Sequence, residues 1–498
     1  SKKGKSMNYG LERVLDEYKN IIKYQWHNGM FPHIRFLSKD EGYSPGPAIW
    51  DIKENKCKNE GVTSGITQPP VIGLTLSHVY KCSGDLEFLN AISAFFEPLL
   101  DFYKFLLTER DPLDQGVVSI IHPWESGLDN SPVFDYANAS ARDTLARKGY
   151  DSCIIRKDTV QVEDAERPAE KDYELYGRII SFLKDKNYNQ NEILRERIFS
   201  VQDVIFNALL IRSIDETIYL INEYKNKIEE AVDYQKIYSE LLVLKNKCLN
   251  GFREHLFYKE KNRFLCKDLV TGEFIKKNTV HSIIPLILDD VDCSSITKII
   301  FDKKQYWSEN PLTTVSMDSK EFNPHNYWRG PVWPIINWLI CKGLTRCSKD
   351  DALLLARKTL DMISEGFEHD KTLVLAMQLL EFNDGGEGTT TPSKNQYKHS
   401  WFWDSCFAAI GWQYIEESRG VGIWPKVFLA KRETLQSNSP QVARHALRER
   451  FGIPLFYEYF TPTPDGNFKA GSPLGSDLMT WTASVFIDLY FMVKLEEE

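Results

Sequence analysis

The chain has 498 residues, of which 42% are hydrophobic and 26% charged, and its formal net charge is -9. That length and apolar content support a large core, while a net-acidic surface of mixed sign argues against nucleic acid or an anionic membrane, both of which need a basic face. No apolar run approaches the roughly 18 residues that span a bilayer, so the expected partner is neutral or small.

The chain opens with SKKGKSMNYG, which lacks the apolar segment of a secretory signal, and Met7 behind a short polar leader reads as the initiator of a cytoplasmic protein. Nine cysteines, without CxxC spacing, suit reduced thiols better than a disulfide framework or a zinc site, so neither metal nor cofactor is expected. The absence of GxGxxG, GxxxxGK[ST] and βαβ alternation argues against nucleotide-dependent chemistry. Aromatic residues make up 13%, with 12 Trp and 23 Tyr, and serve either a generous core or the stacking walls of a carbohydrate site.

In chain order, a polar, Gly- and Pro-containing loop covers 36–70. Val117 to Ile121 then reads as a short strand. It leads into HPWESGLDNSP, residues 122–132, where Glu125 and Asp129 stand among Trp124, Gly127 and Pro132. A carboxylic acid held neutral by apolar contact on a glycine-bent loop is what acid catalysis of glycoside cleavage needs. Polar loop continues to 172. Helical period follows: Val201, Val204, Ala208, Ile211, Ile218 and Ile221 share one face, as do Ile237, Leu241, Leu244 and Cys248. The loop 305–334 ends in NPHNYWRGPVWP, residues 323–334, where Tyr327, Trp328 and Trp333 offer a stacking wall. There Arg329 either fixes a ligand carboxylate or pins the loop to an internal acid. Ser348 caps a helix carrying Leu353, Ala356, Leu360 and Ile363. The loop 384–405 holds YKHSWFWDSCF, residues 397–407, in which Asp404 follows Trp401 and Trp403 and either accepts bonds from sugar hydroxyls or caps the next helix. In FYEYFTPTPDG, residues 456–466, Glu458 is a candidate base. Loops this long in a helical chain are usually functional. With no break in composition, residues 1–498 read as a single domain.

These motifs, together with GMFPHIRF at 29–36 and TQPPV at 67–71, resemble the (α/α)6-barrel glycoside hydrolases of family GH63, within it most closely the mannosylglycerate and glucosylglycerate hydrolases; ESGLD is also similar to the ESGWD of trehalases. The resemblance implies an all-α toroid of helix pairs with long loops capping the active site, 122–200 forming a cap insertion. It implies Asp129 as general acid and Glu458 as the base that activates water for inversion. Asp404, Trp401, Gln68 and Trp124 match positions that hold the hexose, with Tyr397 and Tyr43 closing over the glycerate, and Trp403 and His33 in the same motifs are further expected substrate contacts. Arg167 and Tyr173 match the pair that grips the glycerate carboxylate; the alternative for Arg167 is an ordinary solvated charge in a polar loop. Glu125 is expected to fix its loop rather than to act as the acid.

One departure concerns order. In the relatives the WxWDSxF segment precedes the PHI and ESGxD motifs, whereas here it follows NYWRGPVW, so 371–418 reads as a relocated helix pair inserted before the last one; the alternative is an insertion over 371–450. Two other functions stay open: a different α-glucosidase or trehalase-like hydrolase of the same fold, which would not need Arg167, and a non-catalytic sugar-binding toroid, which would tolerate loss of the carboxyls.

Overall fold

The computed structural model describes residues 7–497 except 38–42, 54–55, 60, 159–161, 229–231, 365, 387, 394–396, 398, 416–455, 465–469, 471, 475 and 477–478. Its longer helices are α1 (Tyr9–Lys23), α2 (Ile72–Ser83), α3 (Phe96–Glu109), α4 (Asp135–Arg147), α5 (Glu170–Asp185), α6 (Val204–Lys227), α7 (Gln235–His255), α8 (Cys293–Ile300), α9 (Pro334–Cys347), α10 (Lys349–Ser364), α11 (His369–Phe382), α12 (Phe402–Trp412) and α13 (Thr480–Glu497). Their starts follow local chemistry. Asn8 and Asp203 cap α1 and α6 by accepting from the Leu11 and Phe206 amides, Ser348 accepts from Asp351 at the start of α10, and Pro334 occupies the first turn of α9 where its missing N–H costs nothing.

Burial separates the helices into two shells. Every residue of α12 is buried, and so are most of α6 and α9, because each is apolar around much of its circumference; α7 buries little beyond Leu241, Cys248, Leu249, Gly251 and Phe252, a single stripe. The inner shell closes on itself. In the order of contact it runs α2, α6, the 3-10 turn Ile284–Ile287, α9, α13, α12 and back to α2. Outside it, α1 packs on α12, α3 and α7 on α6, α8 on α9, α10 on α9 and α13, and α11 on α12 and α13. The arrangement is an all-α (α/α)6 barrel around one contiguous hydrophobic core. Neighbour order departs from chain order at one place: α12 precedes α13 in sequence, yet it adjoins α2, and α13 sits between it and α9.

Three expectations are corrected. The polar stretch 122–172 contains α4, whose Ala137, Ala141 and Leu145 recur every fourth residue and bury one face, and 36–70 contains the short helix Pro47–Trp50. Val201 does not share the α6 face but lies in the strand Val201–Gln202, because the Asp203 cap starts the helix only at Val204. Cys293 and Cys347 are joined as a disulfide: the beginning of α8 and the end of α9 bring their Cα atoms within 6.0 Å, a proximity that a sequence separation of 54 hides from any spacing rule. Among the described residues no helix is long and apolar enough to cross a membrane.

Candidate active site

One cavity, of about 140 Å³, opens where the inner helices begin: Gln68 just ahead of α2, Trp403 and Asp404 in the first turn of α12, Met479 and Trp481 at the start of α13. Two-residue strands pull distant loops to its rim. Ile34–Arg35 pairs antiparallel with Ser400–Trp401, so His33 and Trp401 meet at the wall, and the Phe402 amide donates to the His33 carbonyl. Tyr459–Phe460 pairs with Pro473–Leu474, and Val332 and Phe460 exchange both backbone bonds at 2.8 and 2.9 Å, which sets Glu458 beside Tyr327.

Asp129 is held by its neighbours in the chain. The His122 imidazole accepts the Trp124 amide to start a 3-10 turn over Pro123–Ser126, and Gly127 reverses the backbone at φ 74°. A Cβ at Gly127 would stand 2.5 Å from the Trp403 ring, so glycine is required both by conformation and by this contact. Glu125 anchors the turn from beneath. It is fully buried, takes both Arg110 guanidinium nitrogens at 2.8 Å and accepts the Thr67 and Ile121 amides at 3.1 and 2.8 Å. Tyr176 donates to the Asp129 carbonyl, leaving the carboxyl on the cavity wall. Burial raises that carboxyl to about 7, against smaller lowering by its own amide and Arg167 and raising by Asp172 and Glu458.

Glu458 is buried opposite a guanidinium. Arg167 donates through Nη2 to Oε2 at 2.6 Å and through Nη1 to Oε1 at 3.3 Å, the Ser476 amide donates to Oε2 at 2.9 Å, and the Tyr327 hydroxyl donates to Oε1 at 3.4 Å. Both partners are 2% exposed, and Arg167 also lies over the Tyr327 ring, 4.9 Å from its centroid. Between the two carboxyls the wall is aromatic: Tyr43 and Tyr397 meet the Trp401 ring edge-on, and His33 lies 6.2 Å from Trp124. Burial lowers His33 to about 3, so its imidazole is neutral. The Gln68 side-chain Oε1 accepts the Trp403 amide, and Asp404 is raised to about 8 by burial and then by the Glu458 charge. Tyr173 donates to Asp158 at 2.6 Å, and Asp158 in turn accepts Arg156 at 2.8 Å.

Of the residues singled out in the sequence, Asp129, Glu458, His33, Tyr43, Gln68, Trp124, Arg167, Tyr173, Tyr327, Tyr397, Trp401, Trp403 and Asp404 all border this cavity. Trp328, Arg329 and Trp333 do not. The two indoles stack at 3.4 Å and Trp333 stacks in turn on Tyr459, so they support Tyr327 from behind. Arg329 pins the loop inward, to both Asp135 oxygens at 2.8 and 2.9 Å and to the Asn130 carbonyl. Sequence reading missed Asp158, Met479 and Trp481; the last two stand at the head of an apolar helix and give no local signal. It also missed Arg110, which fixes Glu125 beneath the loop that carries Asp129. Two groups of metal-type ligands occur among the described residues, His78 with Cys82 and Asp488 and Asp203 with Cys266 and His281, both away from the cavity. Asp488 is already engaged by His78, Lys342, Trp338 and Tyr414, and Asp203 caps α6.

Residues 7–370 match the family described as the mannosylglycerate hydrolase MGH1-like glycoside hydrolase domain. The chain belongs to this family. It is 31% identical over 343 residues to a mannosylglycerate hydrolase of Thermus thermophilus, covering 67% of this chain and 76% of the relative. It is 28% identical over 361 residues to mannosylglycerate hydrolase MGH1 of Selaginella moellendorffii (71% and 70% covered), and 26% over 381 residues to a glucosylglycerate hydrolase of Mycolicibacterium hassiacum (72% and 81%). The fold matches a solved GH63 mannosylglycerate hydrolase from Thermus thermophilus, in complex with Tris and D-glycerate, with a TM-score of 0.66 and 23% identity over 99% of this chain and 97% of the other. The enzyme is a glycoside hydrolase.

Proposed function

We propose that the enzyme hydrolyses an α-linked hexosylglycerate, mannosylglycerate or glucosylglycerate, with inversion at the anomeric carbon. The observation that carries this reading is the meeting of Asp129 and Glu458 in one aromatic-walled cavity that also holds a buried arginine. Asp129, raised to about 7, gives its proton to the leaving glycerate oxygen. Glu458 takes a proton from the water that attacks the opposite face of the sugar, the division of labour of an inverting pair. Trp124, Trp401, Trp403, Gln68, Asp404 and His33 hold the hexose, while Tyr43, Tyr397, Tyr327, Arg167 and Tyr173 surround the glycerate. The names of the relatives support the substrate class.

We infer also that α11 and α12 are a relocated pair within a single catalytic domain, with 122–200 as its cap. The family match ends at residue 370, in the first turn of α11, and α12 adjoins α2 although α13 follows it in the chain; residues 387, 394–396, 398 and 416–418 of the proposed pair lie outside the described residues. The test of function is incubation with mannosylglycerate, glucosylglycerate and trehalose, following the first anomer released by NMR. Release of β-hexose from a hexosylglycerate and none from trehalose is expected. An α-hexose product would overturn the roles of Asp129 and Glu458, and trehalose cleaved as readily as the hexosylglycerates would overturn the substrate.

A further inference from the structure

As the cavity stands, Glu458 has no acceptor position to spare. Two carboxylate oxygens offer about four lone-pair directions, and Glu458 receives Arg167 twice, the Ser476 amide once and the Tyr327 hydroxyl once. A base so engaged has nowhere to receive a proton from water. Of these donors the amide is fixed by the backbone and the phenol is long, so the guanidinium is the partner whose departure frees the carboxylate. Its Nε–H is buried without a hydrogen-bond partner. The second donor expected at the glycerate end is also committed internally, Tyr173 to Asp158. Both donors that would receive an anionic aglycone are thus holding carboxylates of the protein itself, and both of those carboxylates border the same cavity.

We propose that the carboxylate of the substrate's aglycone unlocks the base: it takes over Arg167 from Glu458, and only then does Glu458 accept a proton. This rests on the hexosylglycerate reading above and adds to it a coupling between recognition and turnover. With Arg167 drawn to the substrate, water gives one proton to a Glu458 oxygen and its electron pair to the anomeric carbon. The glycosidic bond breaks towards the aglycone oxygen, which takes the Asp129 proton. Glu458 ends protonated and Asp129 ionised, and exchange with solvent resets both. A neutral aglycone leaves Arg167 in place, so discrimination falls on kcat and not only on KM.

The test uses the wild-type enzyme and a neutral substrate, the α-mannosyl or α-glucosyl fluoride, whose leaving group needs no acid. Added D-glycerate supplies the carboxylate separately and is expected to raise fluoride turnover about tenfold or more, whereas glycerol leaves it unchanged. Arg167→Met is expected to turn over the fluoride faster than wild type without glycerate and to lose the response to it; a role confined to binding or packing would give no such gain. Hexosylglycerates cleaved normally, with glycerate only inhibiting the fluoride reaction, would overturn the unlocking and leave the proposed function standing. Glycerate activation with no hexosylglycerate cleaved would overturn the substrate assignment and leave the unlocking.

Discussion

Two buried arginine–glutamate pairs in this protein are built almost alike, and only one faces a ligand space. Arg110 meets Glu125 through two bonds of 2.8 Å, with two backbone amides completing the carboxylate. Arg167 meets Glu458 through bonds of 2.6 and 3.3 Å, with one amide and one phenol completing it. In both, the arginine Nε–H has no partner. Glu125 is enclosed by protein, whereas Arg167 and Glu458 both border the cavity. The same bonds therefore make a clamp in one place and an exchangeable lock in the other, and access decides which.

Breaking the two carboxyls of the cavity separates them most sharply from the clamp. Asp129→Asn and Glu458→Gln are each expected to cost roughly 10²–10⁴-fold in kcat with folding retained, measured by initial rates and circular dichroism. Wild-type kcat/KM on a hexosylglycerate should fall as pH rises above about 7, because the proposed acid, Asp129, must be protonated to act and its value is raised to about 7; the fluoride substrates should not show that limb. Stability falls over the same range, but there the substitution helps. The fold favours protonated Asp129, so its cost is absent below the ordinary aspartate value of 3.8 and fully present above about 7, and Asp129→Asn should raise the melting temperature at pH 8 but not at pH 3.5. Breaking the clamp acts on the fold instead. Glu125→Ala strands Arg110 in the interior and should cost about 3–5 kcal/mol, read as a lowered unfolding midpoint, before any change in chemistry is reached.

Which glutamate is which was only partly legible. The tryptophan, glycine and aspartate of HPWESGLDNSP announced an acid loop, and the motif resemblance assigned Asp129 and Glu458 to opposite faces of a sugar. What no spacing reveals is that Arg167 reaches Glu458 across 291 residues, or that Arg110 reaches Glu125. Periodicity marked α6, α7 and α10 because their buried stripes recur with helical period, but it passed over α4, where small alanines mark the buried face weakly. Arg329 was ambiguous for a physical reason. A guanidinium serves a ligand carboxylate and an internal one with the same geometry, and only the position of Asp135 settles which.

The proposed relocation of α11 and α12 bears on the comparison as well, because Asp404 reaches the cavity on the second of these helices and its carboxyl responds to the Glu458 charge. Asp404→Ala or Trp401→Ala should lower kcat/KM on a hexosylglycerate by about 10²-fold, mostly through KM if the ring is held there, since a missing hydrogen-bonded or stacked group removes a few kcal/mol of binding. Full activity in both variants would show that another segment holds the sugar and would remove the reason for regarding the pair as relocated.

The smallest effect is expected at a third arginine–carboxylate pair, Arg329 with Asp135, and it bounds what the geometry of such a pair is worth without burial. Its bonds are as short as those of the clamp, at 2.8 and 2.9 Å, but Asp135 is 44% exposed and Arg329 24%. Water therefore competes for both partners, and exposed pairs contribute about 0–1 kcal/mol. Arg329 also holds the Asn130 carbonyl next to Asp129, so Arg329→Gln should shift the unfolding midpoint by about 1 kcal/mol and kcat by about twofold. A loss approaching that of Asp129→Asn would mean that the loop, and not the cavity wall, positions the acid.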